Sequence, residues 1–258
     1  MTTLVECFRV LQFKPKERIA DLIVPRFGMR TARICDAEFQ LDLSDFIQRR
    51  IYSGSFERLQ SKIVRSHLRP GMTCFDVGAN VGYYTALFAQ AVGSGGRVFS
   101  FEPSDYAFPR LQAMIERNRL TWVRPVKLAV TDSIGQGVLY GGVQEDALGN
   151  HTATMVKNSN PAQTIVETTT LDVFCDQFGI ERIDFLKVDV DGFEPAVIAG
   201  AQSLLNQGRI SHVLIECNEE WLGQVGTNST NVIEELRKHG MTRARRIGRS
   251  EDFLVSRD

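Results

Sequence analysis

The run from Thr73 to Thr85, TCFDVGANVGYYT, constrains the fold of this chain more than any other segment. A short apolar strand leads into Gly78 and Gly82, and an apolar helical pattern follows from about Tyr83 to Val92. Glycine has no Cβ, so the backbone can turn sharply there and lie close to a ligand. The start of a helix leaves backbone N–H groups unpaired at the same place. Strand, glycine turn and helix together predict a nucleotide-cofactor cradle.

The residues of the turn distinguish between cofactors. A dinucleotide fingerprint reads G-x-G-x-x-G and rests the pyrophosphate on the helix start. This chain instead has Asp-x-Gly-x-x-x-Gly, with Asp76 where the strand ends. A carboxylate there repels a pyrophosphate but suits the ammonium group of an amino-acid-bearing cofactor, directly or through water. S-adenosylmethionine is such a cofactor, and the alternative for Asp76 alone is a helix-capping or strand-end role.

A second acid supports a nucleoside cofactor. The next predicted strand, Arg97 to Phe101, runs into Glu102, which lies 24 residues after Gly78. In nucleotide-binding sheets an acid about 20 residues past the glycine turn binds the ribose. Pro103 stops the strand and brings no competing donor. Glu102 is therefore predicted to bind the ribose hydroxyls.

Three separated segments resemble a known family. FDVGANVGYYTALFA, VFSFEP and FLKVDVDGFEPAVIAGA occur in the order found in FkbM-type S-adenosylmethionine-dependent methyltransferases, and the resemblance covers about residues 50 to 218. It implies an α/β class I methyltransferase fold, a Rossmann-like doubly wound sheet that is mostly parallel with an antiparallel C-terminal strand. It also implies methyl transfer to a hydroxyl on a sugar or a small secondary metabolite, with S-adenosylhomocysteine as product.

The resemblance draws two further acids into the predicted cofactor site. Glu57 matches a position where family members often carry an acid, which reaches the cofactor or caps the next helix. Methyltransferases of this fold often read the adenine amino group at the position of Asp132, which is also a good β-turn residue. The predicted cofactor-binding set is Glu57, Asp76, Gly78, Ala79, Asn80, Gly82, Tyr83, Glu102, Pro103, Ser104, Asp132 and Asp189.

The pattern after Cys74 predicts alternating strands and helices, as in a parallel sheet wound on both faces. Residues 71–258 are predicted to form the methyltransferase domain, and residues 1–70 an N-terminal extension packed on it. The predicted strands are Arg33–Leu43, Cys74–Val77, Arg97–Phe101, Val123–Val130, Ile183–Val190, His212–Glu216 and a final hairpin of Thr242–Ile247 with Asp252–Ser256. The predicted helices are Phe56–Leu68, Tyr83–Val92, Asp105–Asn118, Glu194–Asn206 and Ser229–His239, the last capped by Ser229 or Thr230.

Three acids follow the predicted strand Ile183–Val190, at the edge where open α/β sheets bind ligands. Asp189 and Asp191 are two residues apart, so they point the same way on a continuing strand, and Lys187 can pair with Asp189. A carboxylate beside a substrate hydroxyl can remove or orient its proton. We predict Asp189 or Asp191 in that role, with Glu194 favoured at a helix start. The alternatives are that these acids only hold the loop and the cofactor, or that they bind a divalent metal, which we do not favour.

His151 is the other candidate base, because a histidine can take a proton near neutral pH and this one lies in a polar loop. An exposed loop histidine without a role is the alternative.

The whole chain has other possible functions. These are an N-methyltransferase or macromolecule methyltransferase, a nicotinamide-dependent oxidoreductase, and a cofactor-binding protein without catalysis. The absence of the middle glycine and the presence of Asp76 argue against the oxidoreductase.

The composition limits the kinds of partner that the protein is expected to bind. The chain has 258 residues, 43% of them hydrophobic, and a formal net charge of −1, so no basic field favours nucleic acid or an anionic membrane. The five cysteines are scattered and free of C-x-x-C, which argues against a disulfide framework or a zinc site. The first 13 residues do not resemble a signal peptide, and no apolar run approaches the roughly 18 residues of a membrane span. We expect a cytoplasmic protein acting on a small-molecule or glycan substrate, and a homo-oligomer is compatible with the sequence.

Overall fold

A computed structural model describes residues 24–141, 153–157 and 162–257. The strands are β1 (Met29–Ile34), β2 (Ala37–Asp42), β3 (Thr73–Val77), β4 (Arg97–Phe101), β5 (Val123–Val126), β6 (Ala129–Val130), β7 (Gly135–Gly141), β8 (Ala153–Thr154), β9 (Gln163–Thr169), β10 (Ile183–Val188), β11 (Ile210–Glu216), β12 (Arg243–Arg246) and β13 (Asp252–Ser256). The helices are α1 (Phe46–Ser53), α2 (Arg58–His67), α3 (Tyr83–Val92), α4 (Phe108–Arg117), α5 (Leu171–Gln177), α6 (Glu194–Ala199), α7 (Gln202–Asn206), α8 (Glu219–Gln224) and α9 (Ser229–Lys238).

A seven-stranded sheet forms the centre of the molecule, in the order β12-β13-β11-β10-β3-β4-β5. The five strands from β11 to β5 pair in parallel, whereas β13 runs antiparallel to both β11 and β12. Every residue of β3 is buried, because helices cover both faces of the sheet and form two separate apolar cores. The predicted sheet, mostly parallel with antiparallel strands at its C-terminal end, is confirmed.

A smaller sheet of order β6-β9-β7-β8 lies beside the main one. The prediction of one continuous strand over Val123–Val130 was wrong: β5 belongs to the main sheet, and β6 pairs with β9 in the smaller one. Apolar residues occur on both sides of Lys127, so periodicity alone did not show that the chain changes sheets.

The N-terminal segment contains a hairpin where one strand was predicted. Residues 33–43 turn at Cys35 and Asp36, which have φ of 49° and 59°, and β2 returns antiparallel to β1. Two successive left-handed residues are the signature of a tight hairpin turn. The hairpin is tied to α4 through Asn118, whose Oδ1 accepts a hydrogen bond from the Glu38 backbone N–H at 2.7 Å.

Other predicted boundaries also shift. β10 ends at Val188 rather than at residue 190, and the predicted helix 194–206 divides into α6 and α7 at Gly200. A Cβ on Gly200 would lie 2.0 Å from the Thr131 carbonyl oxygen, so the close approach of these two backbones accompanies the break. The cap of α9 is Asn228, not Ser229 or Thr230, because its side chain accepts from the Asn231 N–H. Within the described ranges, no helix is both long and apolar enough to cross a membrane.

Candidate active site

The carboxyl ends of the parallel strands open on a cleft of about 680 Å³. After β3 the chain continues through β4 and β5 on one side, whereas β10 and β11 lie on the other side. The cleft therefore occupies the point where the strand order reverses, which is the usual ligand site of an open α/β sheet. Its volume falls within the range of roughly 300–1,000 Å³ common for small-molecule pockets.

The glycine turn after β3 forms the floor of the cleft. Gly78 has φ of 80°, and a Cβ there would lie 1.8 Å from the Asp189 carbonyl oxygen, so only glycine fits under the loop that follows β10. Ala79 and Asn80 line the cleft beside it. Gly82 has φ of 93° but faces away, since a Cβ there would meet Met114 at 2.6 Å. Its prediction as a cofactor contact is not supported, because its close neighbours belong to α4.

Glu102 lies in the wall of the cleft with Pro103 and Ser104. Its carboxylate accepts hydrogen bonds from the Asn80 N–H at 2.7 Å and the Ser104 N–H at 2.9 Å. Burial raises the pKa of Glu102 to about 7, although these two bonds oppose the shift. The carboxylate is thus fixed by backbone on both sides, and the position predicted for ribose binding has the required rigidity.

Asp76 lies behind the cleft wall rather than on it. Its carboxylate is fully buried, accepts from the Thr85 hydroxyl at 2.6 Å, and lies 3.9 Å from the Lys187 ammonium. Lys187 does line the cleft, and its Nζ donates to the Gly78 carbonyl at 3.1 Å and to Asp189 at 2.9 Å. The geometry therefore places Asp76 where it positions Lys187 and α3, and a direct contact of Asp76 with a ligand is not supported.

Asp189 and Asp191 meet a third acid, Glu216, which the sequence analysis did not select. One oxygen of each carboxylate lies within 4.8 Å of one oxygen of both others, and all three residues line the cleft. The available signal was that the predicted strand His212–Glu216 ends in an acid at the same edge of the sheet. Asp191 has φ of 47°, so the two aspartates meet through a turn and not along a continuing strand.

These three acids do not share one ionisation state. Burial opposes ionisation of Asp189, but the Lys187 charge and hydrogen bonds from Glu216 and Lys187 lower the pKa of Asp189. The Asp189 charge, together with burial, raises the pKa of Glu216 well above its ordinary value. Burial and the same charge raise the pKa of Asp191 to about 8. Asp189 is accordingly the ionised member, Glu216 donates to it, and Asp191 can exchange a proton near neutral pH.

The same cluster has the donor set of a hard divalent cation, which prefers carboxylate oxygens. Asp189, Asp191 and Glu216 are the residues that could hold such an ion. The Lys187 ammonium already lies 2.9 Å from Asp189 and competes for one of these ligands.

Glu57 reaches the cleft from the N-terminal segment. It precedes α2 but makes no side-chain cap, and its carboxylate instead accepts a hydrogen bond from the Tyr84 hydroxyl. Burial, then the charges of Asp189 and Asp252, raise the pKa of Glu57 to about 8. Tyr83 lines the cleft beside it and its hydroxyl lies 2.9 Å from that of Ser61. Glu57 therefore occupies the N-cap position of α2, but its side chain does not cap the helix.

Three other predicted residues have different outcomes. Asp132 is exposed, lies outside the cleft lining and accepts a hydrogen bond from the Ser133 hydroxyl, so the prediction of an adenine contact is not supported. Glu194 opens α6 and accepts from the Val190 and Gly192 N–H groups, which organises the loop as predicted. His151 lies outside the described residues.

Sheet order and site together define a class of protein. A seven-stranded sheet with β13 inserted antiparallel beside β11, and an acid-lined cleft over the β3 glycine turn, is the class I methyltransferase fold. The family described as "Methyltransferase FkbM domain" matches residues 76–242. The chain belongs to the FkbM methyltransferase family.

The chain is similar to several proteins named as methyltransferases. The chain is 32% identical over 202 residues to the 31-O-demethyl-FK506 methyltransferase FkbM of Streptomyces tacrolimicus, covering 68% of this chain and 74% of the relative. It is 28% identical to the 2-O-methyltransferase NoeI of Sinorhizobium fredii, covering 65% and 73% of the two chains. It is 25% identical to the hexuronic acid methyltransferase AglP of Haloferax volcanii, covering 71% and 69%.

Among solved structures, the methyltransferase FkbM of Methylobacillus flagellatus KT aligns with a TM-score of 0.48 at 15% identity. The alignment covers 82% of this chain and 55% of that protein, so the chain spans little more than half of its length.

Proposed function

We propose that this protein transfers a methyl group from S-adenosylmethionine to a hydroxyl of a sugar or a small secondary metabolite. The observation that carries the proposal is Glu102, a buried carboxylate fixed by two backbone N–H groups in the wall of the cleft. Two adjacent ribose hydroxyls match such a fixed acceptor, and the rest of a nucleoside has room along Pro103 and Ser104.

The floor of the cleft fits the amino-acid end of this cofactor. Gly78, Ala79 and Asn80 bring backbone close to the ligand space, and Lys187 and Asp189 lie across from them. Bound there, the cofactor supplies an electrophilic methyl group on a sulfonium. The residues of the chain have to hold it, bring an acceptor hydroxyl into line and accept the proton.

Asp191 is the residue we assign to the proton. It lines the cleft, and its pKa of about 8 lies near neutral pH, where a base both occurs in its active form and binds a proton well. Asp189 is less suited because Lys187 stabilises its charge at 2.9 Å. Its role is to orient the site and to raise the basicity of Asp191.

Transfer to oxygen is favoured over transfer to nitrogen by the relatives. Two of them are named for O-methylation, the 31-O-demethyl-FK506 methyltransferase and the 2-O-methyltransferase. A nicotinamide-dependent oxidoreductase is disfavoured, because the middle glycine of G-x-G-x-x-G is missing from the turn where a pyrophosphate would lie.

The test is methyl transfer from deuterium-labelled S-adenosylmethionine to a panel of sugars and polyols, with products analysed by mass spectrometry. The labelled methyl group is expected on oxygen. Asp191→Asn should lower turnover while leaving S-adenosylhomocysteine affinity close to that of the wild type. Methylated amines as the sole products would contradict the proposal, as would full activity of Asp191→Asn. Parallel assays in EDTA and in Mg²⁺ show whether the three acids act through a metal.

A further inference from the structure

The cleft lining includes apolar and aromatic side chains from the N-terminal segment and from α8: Phe46, Ile47, Ile51, Phe56 and Trp221. The acid cluster of Asp189, Asp191 and Glu216 lines the same cleft. An apolar wall with a few convergent polar groups is typical of a site for a second small molecule.

Trp221 is held in this wall by α8. The Asn218 side chain accepts hydrogen bonds from the Glu220 and Trp221 N–H groups at 3.0 and 3.1 Å, and its amide donates to Glu251 at 2.8 Å. The start of the helix is therefore tied both to its own backbone and to the turn before β13. These bonds fix the backbone position from which the Trp221 side chain enters the cleft lining.

Trp221 also packs directly on the loop that carries the proton acceptor. A Cβ on Gly192 would lie 2.9 Å from the Trp221 Cβ and 3.0 Å from its carbonyl oxygen, so the glycine next to Asp191 is what lets α8 approach. From β8, the Thr154 hydroxyl donates to the Asp191 carbonyl at 2.8 Å and fixes the same loop. Trp221 and Asp191, which both line the cleft, are thus carried by two chain segments in close contact.

The charge of the cleft restricts what can bind there. Among the described residues, six acids and one lysine line it: Glu57, Glu102, Asp189, Asp191, Glu216, Glu220 and Lys187. Lys187 already pairs with Asp189 at 2.9 Å, so this lining has no free cation for an anionic acceptor, whereas hydroxyl groups can hydrogen-bond with carboxyl groups in either protonation state. The saturated C–H face of a sugar ring can pack on an aromatic side chain, where burial of apolar area and dispersion contacts stabilise it.

We propose that Trp221 is the platform on which an uncharged, polyhydroxylated ring is held, with its hydroxyls facing Asp191 and Glu216. This subsite rests on the proposed function, because it is the place of the methyl acceptor. It assigns acceptor specificity to α8 and to the N-terminal segment, and it predicts neutral pyranosides or cyclitols rather than uronic acids.

The chain has two tryptophans, which makes the subsite directly measurable. Trp122 packs against the core and donates to the Ala89 carbonyl at 3.1 Å, so it is not part of the cleft lining. In Trp122→Phe, Trp221 is the sole tryptophan. We expect its fluorescence to change saturably when methyl glucoside, methyl galactoside or methyl mannoside is titrated onto the protein bound to S-adenosylhomocysteine. Methyl glucuronide should bind at least tenfold more weakly than these neutral glycosides, a difference in binding free energy of roughly 1.4 kcal/mol.

The matched variant is Trp221→Phe, which keeps Trp122 as the sole tryptophan. Its tryptophan fluorescence should show no saturable change in the same titrations. Trp221→Ala should raise the KM for any turned-over acceptor more than it lowers kcat, while S-adenosylhomocysteine affinity stays unchanged and confirms that the variant is folded. No saturable change with any neutral glycoside, or tighter binding of the glucuronide, would overturn the subsite. Failure of the wild type to bind S-adenosylhomocysteine would instead overturn the proposed function.

Discussion

Glu57 combines several unfavourable features in one residue. Its φ of 36° lies in the left-handed region, which costs a residue with a Cβ of the order of 1–2 kcal/mol. Its side chain leaves the start of α2 without a cap and enters the cleft instead. Its carboxylate is desolvated and faces the like charge of Asp189. Strain, a missing side-chain cap and a buried acid all act against stability at this one position, as is common for residues at functional sites.

This arrangement makes stability depend on pH. The pKa of Glu57 is raised to about 8 in the folded chain, so between about pH 4.5 and 8 the folded state holds a proton that the unfolded chain releases. The Glu57 contribution to stability is therefore full below this window and is lost as the pH rises through it. Glu57→Gln removes the charge and keeps the shape. The melting temperature of this variant, relative to that of the wild type, should therefore rise progressively from pH 5 to pH 9.

The control is Glu220→Gln, the same change at an exposed residue of the same cleft. The melting temperature of this variant should differ from that of the wild type by a nearly constant amount from pH 5 to pH 9. Parallel melting curves for Glu57→Gln and wild type at every pH would show that Glu57 is not the buried acid described above.

At the scale of elements, the site depends on one crossing of two loops. The turn after β3 passes under the loop after β10, and Gly78 allows the two backbones to meet. Asp189 also donates its backbone N–H to the Val77 carbonyl at 3.1 Å. The floor of the cleft and the acid cluster are thus one unit, and moving either displaces the other.

A comparison of the stabilities of Gly78→Ala and Gly71→Ala tests this crossing. The two glycines have similar φ, 80° and 85°, but a Cβ at Gly71 meets nothing within 4 Å. Gly71→Ala should cost only the left-handed conformation, about 1–2 kcal/mol of unfolding free energy. Gly78→Ala should cost roughly 1–3 kcal/mol more because of the overlap with Asp189. Denaturant melts measure both, and equal losses would refute the close approach.

Sequence predicted the elements that have strong local signals. The strands before Gly78 and Glu102, helix α3 and the C-terminal hairpin occur as predicted, because apolar runs and turn residues mark them. The break between β5 and β6 has no such signal. Gly192 does mark a turn near Asp191, but it does not show that the turn starts at Asp189 and brings the two aspartates together. Helix α8 was missed because six residues carry too little periodicity.

The candidate site was predicted in part for the same reason. Glu102 and the residues of the glycine turn follow from spacing along the chain, and most of them line the cleft. Glu216 became visible only when β11 was placed beside β10. The burial of Asp76 depends on Lys187, a contact across 111 residues of sequence that spacing does not reveal.

At the scale of the whole molecule, two parts meet over one sheet edge. The parallel strands present Glu102, Asp189 and Glu216, while the N-terminal segment and α8 close the cleft with aromatic and aliphatic side chains. The family match, residues 76–242, includes the parallel strands and α8 and leaves out the N-terminal segment. In the function proposed above, the strand edge holds the cofactor and the aromatic and aliphatic side chains hold the acceptor.

The most direct test is calorimetric titration of S-adenosylhomocysteine into the wild type, Glu102→Ala and Glu116→Ala. Glu116 is an exposed acid of α4 outside the cleft lining and serves as the matched control. One equivalent should bind to the wild type and to Glu116→Ala with equal affinity. Glu102→Ala should bind roughly 5- to 150-fold more weakly, the equivalent of about 1–3 kcal/mol for a lost buried partner. Unchanged affinity in Glu102→Ala, or binding of NAD in place of S-adenosylhomocysteine, would contradict the assignment of the cleft.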